Sequence, residues 1–436
     1  MTKCSSSFLV FTGVGSRKFE ADFSGGAITS DGGVPLLREM DRRLGLMKAV
    51  AAELADGRQA GKVDHSMQSL LRQRVYALAL GYEDGNDHQQ LRHDVALQSA
   101  VGRNEVLASP PTLCRLENQA DREHCLAISK VMIEQFIASF SAPPQELILD
   151  FDATDVPVHG HQVGRFFHGY YDKYCFLPLY VFCGDRVLVA YLRPSRNDGA
   201  RHAGAILKLL VQRLRQAWPK VRIMFRADSG FCRRRILHWC EHNNVGYLVG
   251  LAKNPALNRM AEPWMEQARA AAGGNGSARL FADLSYATQT WKQPRRVILK
   301  AESLPGKDNH RYLVTNLAGD GRMLYETVYC ARGEAENRIK EQQLDLFASR
   351  TSCHEWWPNQ FRLLLSALAY TLVEGIRRTA LQGTELAEAT CATIRLRLFK
   401  IGAVIVRNTR RIKLLLSSAY PWQNLFRVAV ARLSSA

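Results

Sequence analysis

The chain has 436 residues and carries 58 Lys and Arg against 41 Asp and Glu, a formal net charge of +17. With 47% apolar residues it can bury more than one sizeable core, which excludes a largely disordered chain. A basic excess of this size points to a polyanionic partner, and nucleic acid is the first to consider. No run reaches 18 uninterrupted apolar residues; the best, 363–373, contains Ser366 and Thr371, so no membrane span is expected. The apolar run at 8–11 is too short for an export signal, and the chain reads as cytoplasmic, with the nucleoid as its place of work. The ten cysteines include no Cys-x-x-Cys and no zinc-ligand spacing, and they read as small buried hydrophobes.

Residues 1–145 read as an all-helical region suited to binding DNA. Asp31-Gly-Gly opens a run over 34–54 with Leu36, Leu37, Met40, Leu44, Met47 and Val50 at helical spacing. A second run covers 67–80, short pieces follow at 88–92 and 95–101, and Ser109-Pro-Pro-Thr starts another element. Arg115, just inside that element, sits where a helix-turn-helix presents a DNA contact, although a plain helical bundle reads the same way.

From residue 146 the pattern changes. Leu147-Ile-Leu-Asp-Phe-Asp152 is an apolar strand ending in carboxylates. Residues 176–183 and 186–192 are β-rich on either side of Gly184-Asp185, a two-residue hairpin turn. A helix over 203–218 carries Ile206, Leu209, Leu210 and Leu214 on one face. A strand over 221–227 then ends at Asp228, followed by a helix over 233–242 and a strand over 246–251. Strand, hairpin, helix, strand, helix, strand is the element order of the ribonuclease-H-like fold, an α/β core with a mixed sheet and helices on its faces. On this reading 146–252 is the first part of the core. Residues 253–322 interrupt it as a β-rich insertion, with a Gly-Gly-Asn-Gly-Ser loop at 273–277. Residues 323–385 complete the core through helices, and 386–436 form a basic C-terminal region with nine Arg or Lys after residue 391 and no acid.

Carboxylates at the ends of buried strands project into a crevice, which singles out Asp152 and Asp228 on strands expected to be neighbours. Asp150 and Asp155 compete with Asp152, which is preferred because it closes the apolar strand before Ala153-Thr154. In the helix from Tyr325, Tyr329, Arg332 and Glu336 fall at i, i+3 and i+7 on one face, joined by Lys340. The ordered set Asp152-Ala-Thr, Asp228-Ser-Gly-Phe and Tyr329-x2-Arg332-x3-Glu336-Asn, spaced by 76 and 108 residues, resembles DDE-type insertion-sequence transposases. It is similar to the subgroup with a Tyr-x2-Arg-x3-Glu-x6-Lys signature after a β-insertion. The longer phrases at 152–160 and 332–341 resemble the insertion-sequence group numbered thirteen-eighty. The resemblance covers nearly the whole chain and departs at one place: Gln343 stands where the signature has lysine, with Lys340 as the nearest substitute cation.

The resemblance implies a metal-dependent transposase in which Asp152, Asp228 and Glu336 are catalytic and hold two ions. Three ionised carboxylates repel one another at close range, and all-oxygen ligation suits Mg²⁺ or Mn²⁺ rather than zinc. The implied reaction is phosphodiester hydrolysis at the element's end, after which the freed 3′-OH attacks target DNA. Tyr329 and Arg332 would hold the scissile or a neighbouring phosphate; the competing role for Arg332 is an ion pair with Glu336. The implied partners are double-stranded DNA, as terminal inverted repeats and as target, with at least a dimer assembled on it. The rival readings are a metal-dependent nuclease or resolvase on the same fold, and a non-catalytic DNA-binding protein from a decayed element. Residues 193–235 carry twelve Arg or Lys against two acids, a basic apron around Asp228. Trp291 is a candidate for stacking on an unpaired base, with core packing as its alternative. His159 and His161 lack a convincing ligand set, and 12–18 lacks the Walker spacing, so ATP is not expected.

Overall fold

The computed structural model describes residues 8–273 and 276–434; Cys4 and the Gly274-Asn275 part of the expected loop lie outside the described residues. The chain divides into two compact units. One takes in Met1–Ala51, Asp56–Leu116 and Gly375–Ala436, the other Ala52–Ala55 and Glu117–Glu374. The boundary expected at residue 145 thus falls inside the second unit, and most of the N-terminal region shares the first unit with the basic tail.

The second unit is built on one mixed sheet. Its strands are β1 (Glu146–Ala153), β2 (Leu179–Cys183), β3 (Arg186–Tyr191), β4 (Arg222–Ala227), β5 (Val245–Leu251), β6 (Ala278–Tyr286), β7 (Arg295–Leu304) and β8 (Arg311–Thr315), with a two-residue strand, Lys307–Asp308, on the end of β7. The spatial order is β6-β7-β8-β5-β4-β1-β2-β3. β4 lies parallel to both β1 and β5, and the other pairings along this path are antiparallel. The hairpin turn between β2 and β3 falls on Gly184-Asp185, with Gly184 at φ +58°, a conformation that glycine adopts without cost.

Period-two alternation divides each central strand between two faces. Leu147, Leu149 and Phe151 of β1 point with Ile223 and Phe225 of β4 into the larger core. That side is covered by four helices: α1 (Arg122–Ala138), α2 (Ala203–Ala217), α3 (Arg234–His242) and α4 (Pro255–Ala272), which contribute Phe136, Leu207, Leu237 and Leu257. On the other face Met224, Leu248, Ile298 and Leu313 pack with Leu324 from a helical segment running from Gly321 to Asp345. That segment contains α5 (Gly333–Lys340), and it is followed by the 25-residue helix α6 (Trp356–Ala380). α6 places Tyr370 edge-on to Phe182 of β2.

Three expectations change. The strand read over 176–183 is broken at Leu177-Pro178: Lys173–Phe176 pairs instead with Val156–Pro157 and Phe166–His168 in a separate small sheet. Proline lacks the N–H donor needed inside a ladder, which accounts for the break. The segment 253–322 opens with the 18-residue helix α4, and its strands extend the core sheet instead of forming a body of their own. Asn254 caps α4 by accepting from Leu257 N, and Pro255 occupies its first turn, a helix start that the glycine-rich loop downstream obscured.

The third change is in the first unit, which is not all-helical. Leu9–Val14 and Arg17–Ala21 form a hairpin, and Ala27–Thr29 pairs with Ala403–Arg407, itself paired with Ile412–Leu416. A three-residue strand whose partner lies almost the whole chain away leaves no local pattern to read. The helices Val34–Leu44, Met67–Leu80 and Val95–Val101 bury Leu37, Met40, Leu71, Val75 and Leu97. Among the cysteines, Cys125, Cys175, Cys240 and Cys391 are buried as expected, whereas Cys114 and Cys330 are exposed. No helix among the described residues is long and apolar enough to cross a membrane.

Candidate active site

Asp152 and Asp228 stand at the same edge of the sheet. Parallel pairing of β1 with β4 sets Phe151 opposite Ala227, so both carboxylates follow at the carboxyl ends of adjacent strands. Crevices outside such strand ends are the usual ligand sites of α/β sheets. Asp152 Oδ1 accepts from Ala153 N at 2.9 Å, and Asp228 Oδ1 accepts from Gly230 N at 2.8 Å as it caps the turn Ser229–Phe231.

Glu336 arrives from α5. The segment leading to it is not a uniform α-helix: Leu324–Tyr329 is a π-helical turn, Cys330–Arg332 a 3₁₀ turn, and a second π turn over Glu341–Asp345 follows α5. Irregular turns of this kind concentrate at functional sites, because they re-aim side chains that a regular helix would space evenly. Arg338 anchors α5. It is buried, lies 3.0 Å from Asp185 in the hairpin turn and pairs with Glu341.

Arg332 joins the acids. Its guanidinium donates to Asp152 Oδ2 at 3.2 Å and to Glu336 Oε1 at 2.5 Å. Burial pushes the Asp152 carboxyl up to about 7; Arg332 opposes that rise, and the nearby charges of Asp228 and Glu336 add to it. Burial works against the charge on Arg332, yet the fields of Asp152, Tyr329, Glu336 and Asp228 together raise it above the usual arginine range. Burial likewise raises the Tyr329 hydroxyl, with Arg332 opposing and Asp228 reinforcing. Four groups from three elements therefore share one electrostatic site around a single guanidinium.

The competing acids have other partners. Asp150 and Arg226 form a buried two-pronged pair at 2.5 and 2.7 Å, and Arg226 also donates to the Val328 carbonyl, tying the sheet to the π turn. Asp155 pairs with Lys173 at 2.8 Å. Gln343 donates from Nε2 to Thr154 Oγ1 at 3.2 Å and to the Asp155 carbonyl at 2.9 Å, so the second π turn is fastened to the strand end that carries Asp152.

The other expected residues are more scattered. Lys340 is exposed at the end of α5. Trp291 lies in the turn between β6 and β7, partly buried against the larger core, with Arg295 4.7 Å over its ring and Tyr286 edge-on. Arg115 is exposed on the helix Pro110–Asn118 and donates to Thr112 Oγ1 at 3.1 Å. His161 Nδ1 lies 2.8 Å from the Arg165 guanidinium.

Sequence reading missed Gly250. A β-carbon there would lie 2.7 Å from Ser229 N and 2.9 Å from the Tyr329 hydroxyl, so only glycine lets β5 pass this close behind Asp228. The signal was available, since a glycine inside a buried strand pattern marks close approach by another group.

In kind the donor set fits hard divalent cations: three carboxylates, two of which raise the proton affinity of the third. Among the described residues, however, no three acidic, histidine or cysteine side chains lie close enough together to share an ion. The bridging positive charge between Asp152 and Glu336 is Arg332.

Across the whole chain, no curated protein matches. Seven solved chains match, one of them from a cryo-EM structure of a piggyBac transposase synaptic complex with hairpin DNA. It shares 13% identity, covering 85% of this chain and 79% of that one, with a TM-score of 0.43. The family described as Transposase DDE domain group 1 matches residues 11–436. With nearly its full length matched, the chain belongs to the Transposase DDE domain group 1 family.

Proposed function

We propose that this DDE-family protein is a metal-dependent DNA transposase of the insertion-sequence group numbered thirteen-eighty, with Asp152, Asp228 and Glu336 as its catalytic acids. The observation that carries the reading is the convergence of Asp152 and Glu336 on Arg332 beside Asp228, at the carboxyl edge of two adjacent parallel strands. The strand order around β1, with an antiparallel hairpin on one side and two parallel strands on the other, supports the ribonuclease-H-like assignment.

Asp152, Asp228 and Glu336 would hold two Mg²⁺ or Mn²⁺ ions, which when bound activate the attacking oxygen and stabilise the leaving one at phosphorus. The chain's own part is to hold three anions in one field, to keep Asp228 fixed through its turn, and to present Arg332 and Tyr329 to phosphate. Arg332 offsets the charges of Asp152 and Glu336, and its planar fork is suited to pair with phosphate. Lys340 would add a further cation at the rim, and the Gln343 amide keeps the strand end in place where the signature carries lysine. The product is a 3′-OH that attacks target DNA, with two copies of the chain pairing two inverted-repeat ends.

The test uses the purified protein with DNA carrying the element's ends and a supercoiled target plasmid in Mg²⁺. The wild type cuts the ends and joins them to the plasmid, while Asp228→Asn binds the same DNA with cleavage reduced at least about a thousandfold, in line with removal of an essential catalytic group. Cleavage by Asp228→Asn at the wild-type rate overturns the assignment of the acids. Cleavage without joining by the wild type identifies a nuclease on the same fold.

A further inference from the structure

A second feature lies on the same sheet edge. β3 runs parallel to β1 through two antiparallel pairings, so its carboxyl end, like those of β1 and β4, opens on the edge that bears Asp152 and Asp228. The chain leaves β3 at Tyr191 and enters α2 at Ala203; it leaves β4 at Ala227 and enters α3 at Arg234. Between these two crossings lies an open groove of about 1000 Å³.

Its lining is strongly basic. Arg196, Arg201, Arg233, Arg234 and Arg235 face it and are all exposed, and Asp198 is the one acid among its lining residues. Asp198 is already engaged by Arg233 at 2.6 and 3.2 Å. Arg196 stacks 4.7 Å over Phe166, which holds its guanidinium in place without neutralising it. Arg201, Arg234 and Arg235 have no acidic partner among the described residues. The first turns of α2 and α3 both line the groove, through Gly204 and Ala205 and through Arg234 to Ile236, and neither helix start carries a side-chain cap. Two positive dipole ends thus add to the arginines. The field is felt within the groove: burial lowers the proton affinity of His202, and Arg201 and Arg193 lower it further.

Charges in this number, left unpaired in a concave surface, repel one another unless an anion with several evenly spaced charges fills it. We propose that this groove binds the phosphodiester backbone of duplex DNA next to the strand being cut, with Arg201, Arg234 and Arg235 and the two helix starts as its phosphate ligands. The inference rests on the reading of the protein as a DNA transposase, and it adds a second place on the same unit where DNA is held. Backbone binding fixes position without reading sequence, so the groove serves element ends and target alike.

The experiment measures binding of a fluorescein-labelled duplex by the full-length protein across a salt series, for the wild type, Arg201→Ala/Arg234→Ala/Arg235→Ala and the charge reversal Arg234→Glu/Arg235→Glu. Removing one phosphate-binding cation makes the slope of log K against log salt shallower by about 0.9, so the slope for the triple variant should be shallower by roughly two to three, with affinity at low salt at least tenfold weaker. The charge reversal should weaken binding further, and it decides the matter if the triple variant does not fold. A slope and affinity equal to wild type in either folded variant overturns the groove. Cleavage by the wild type is followed in the same samples: its absence counts against the transposase reading, whereas unchanged binding by the groove variants beside normal wild-type cleavage counts against the groove alone.

Discussion

Asp150 and Asp152 lie two residues apart on β1 and face the same side of the sheet, yet one is neutralised by Arg226 and the other shares Arg332 with Glu336. A buried carboxylate that has only a share of one guanidinium is costly to ionise, and that cost depends on pH. The Asp152 carboxyl titrates near about 7 in the folded chain against 3.8 in an unperturbed one. Between those values the folded state keeps a proton that the unfolded state has lost, so this group withdraws stability as pH rises from 4 to 7, and the loss is complete above 7. Asp152→Asn removes the loss while keeping the oxygen that accepts from Ala153. In metal-free buffer its Tm should exceed that of the wild type by about 3–5 °C at pH 8, with the two converging at pH 4. Melting curves at both pH values check this; equal Tm at pH 8 would mean that Asp152 is already compensated. The two strand-end acids and the helical Glu336 were legible in the sequence because an apolar run ending in Asp, and a Tyr-Arg-Glu spacing, are local patterns. That Arg332 bridges two of the acids was visible only as one of its two candidate roles, because rotamer and burial choose between them.

At the scale of elements, the site depends on β5 and the π turn at 324–329 passing close to the Asp228 turn. Gly250 allows that approach. Gly250→Ala pushes a methyl group into Ser229 N, a backbone atom that cannot swing aside. Overpacking of this kind costs about 1–3 kcal/mol, and a displacement on the order of 1 Å at reacting groups can lower a rate about a hundredfold. The variant is expected to fold with a lowered Tm and to cleave at least tenfold more slowly. Gly246→Ala is the internal control: on the same strand, its β-carbon meets chiefly the end of the flexible Leu317 side chain, so its cleavage should stay within about threefold of wild type. Cleavage assays and melts on both variants separate site geometry from general strand damage. The core strands β1, β4 and β5 and the β2–β3 hairpin could be read from periodicity and one turn. The helix α4 and the joining of β6 to β8 onto the core sheet could not, since which strands pair is set by contacts across the sheet and not by the pattern along any one strand.

The whole chain shows the same limit most clearly in the first unit. Nine basic residues without an acid after residue 391 mark the basic C-terminal region expected from the sequence. The segment that carries them also has a structural part, through its backbone and through Arg395 and Lys400, while Arg407, Arg410, Arg411, Lys413 and Arg427 remain exposed. Ala403–Arg407 supplies the ladder partner of Ala27–Thr29, and Gly32 and Gly33 donate to the carbonyls of Ile401 and Phe399 at 2.8 and 3.1 Å. A β-carbon at Gly33 would fall only 1.7 Å from the Leu398 carbonyl oxygen, so the two segments meet backbone to backbone. Lys400 pairs at 2.7 Å with Asp31, which is itself buried, and Arg395 donates to the Ala79 carbonyl at 2.8 Å. Deleting 391–436 therefore strips a buried carboxylate of its cation, leaves backbone donors unsatisfied and uncovers the start of the helix Val34–Leu44. An unpaired buried charge alone costs about 3–5 kcal/mol, a large share of the stability of a unit this size. The truncated chain should lose protection of residues 27–101 in hydrogen exchange and become open to proteolysis there, while the sheet of the second unit, including β1 and β4, keeps wild-type protection. A tail that served only to hold DNA would leave both patterns unchanged and alter nothing but DNA affinity.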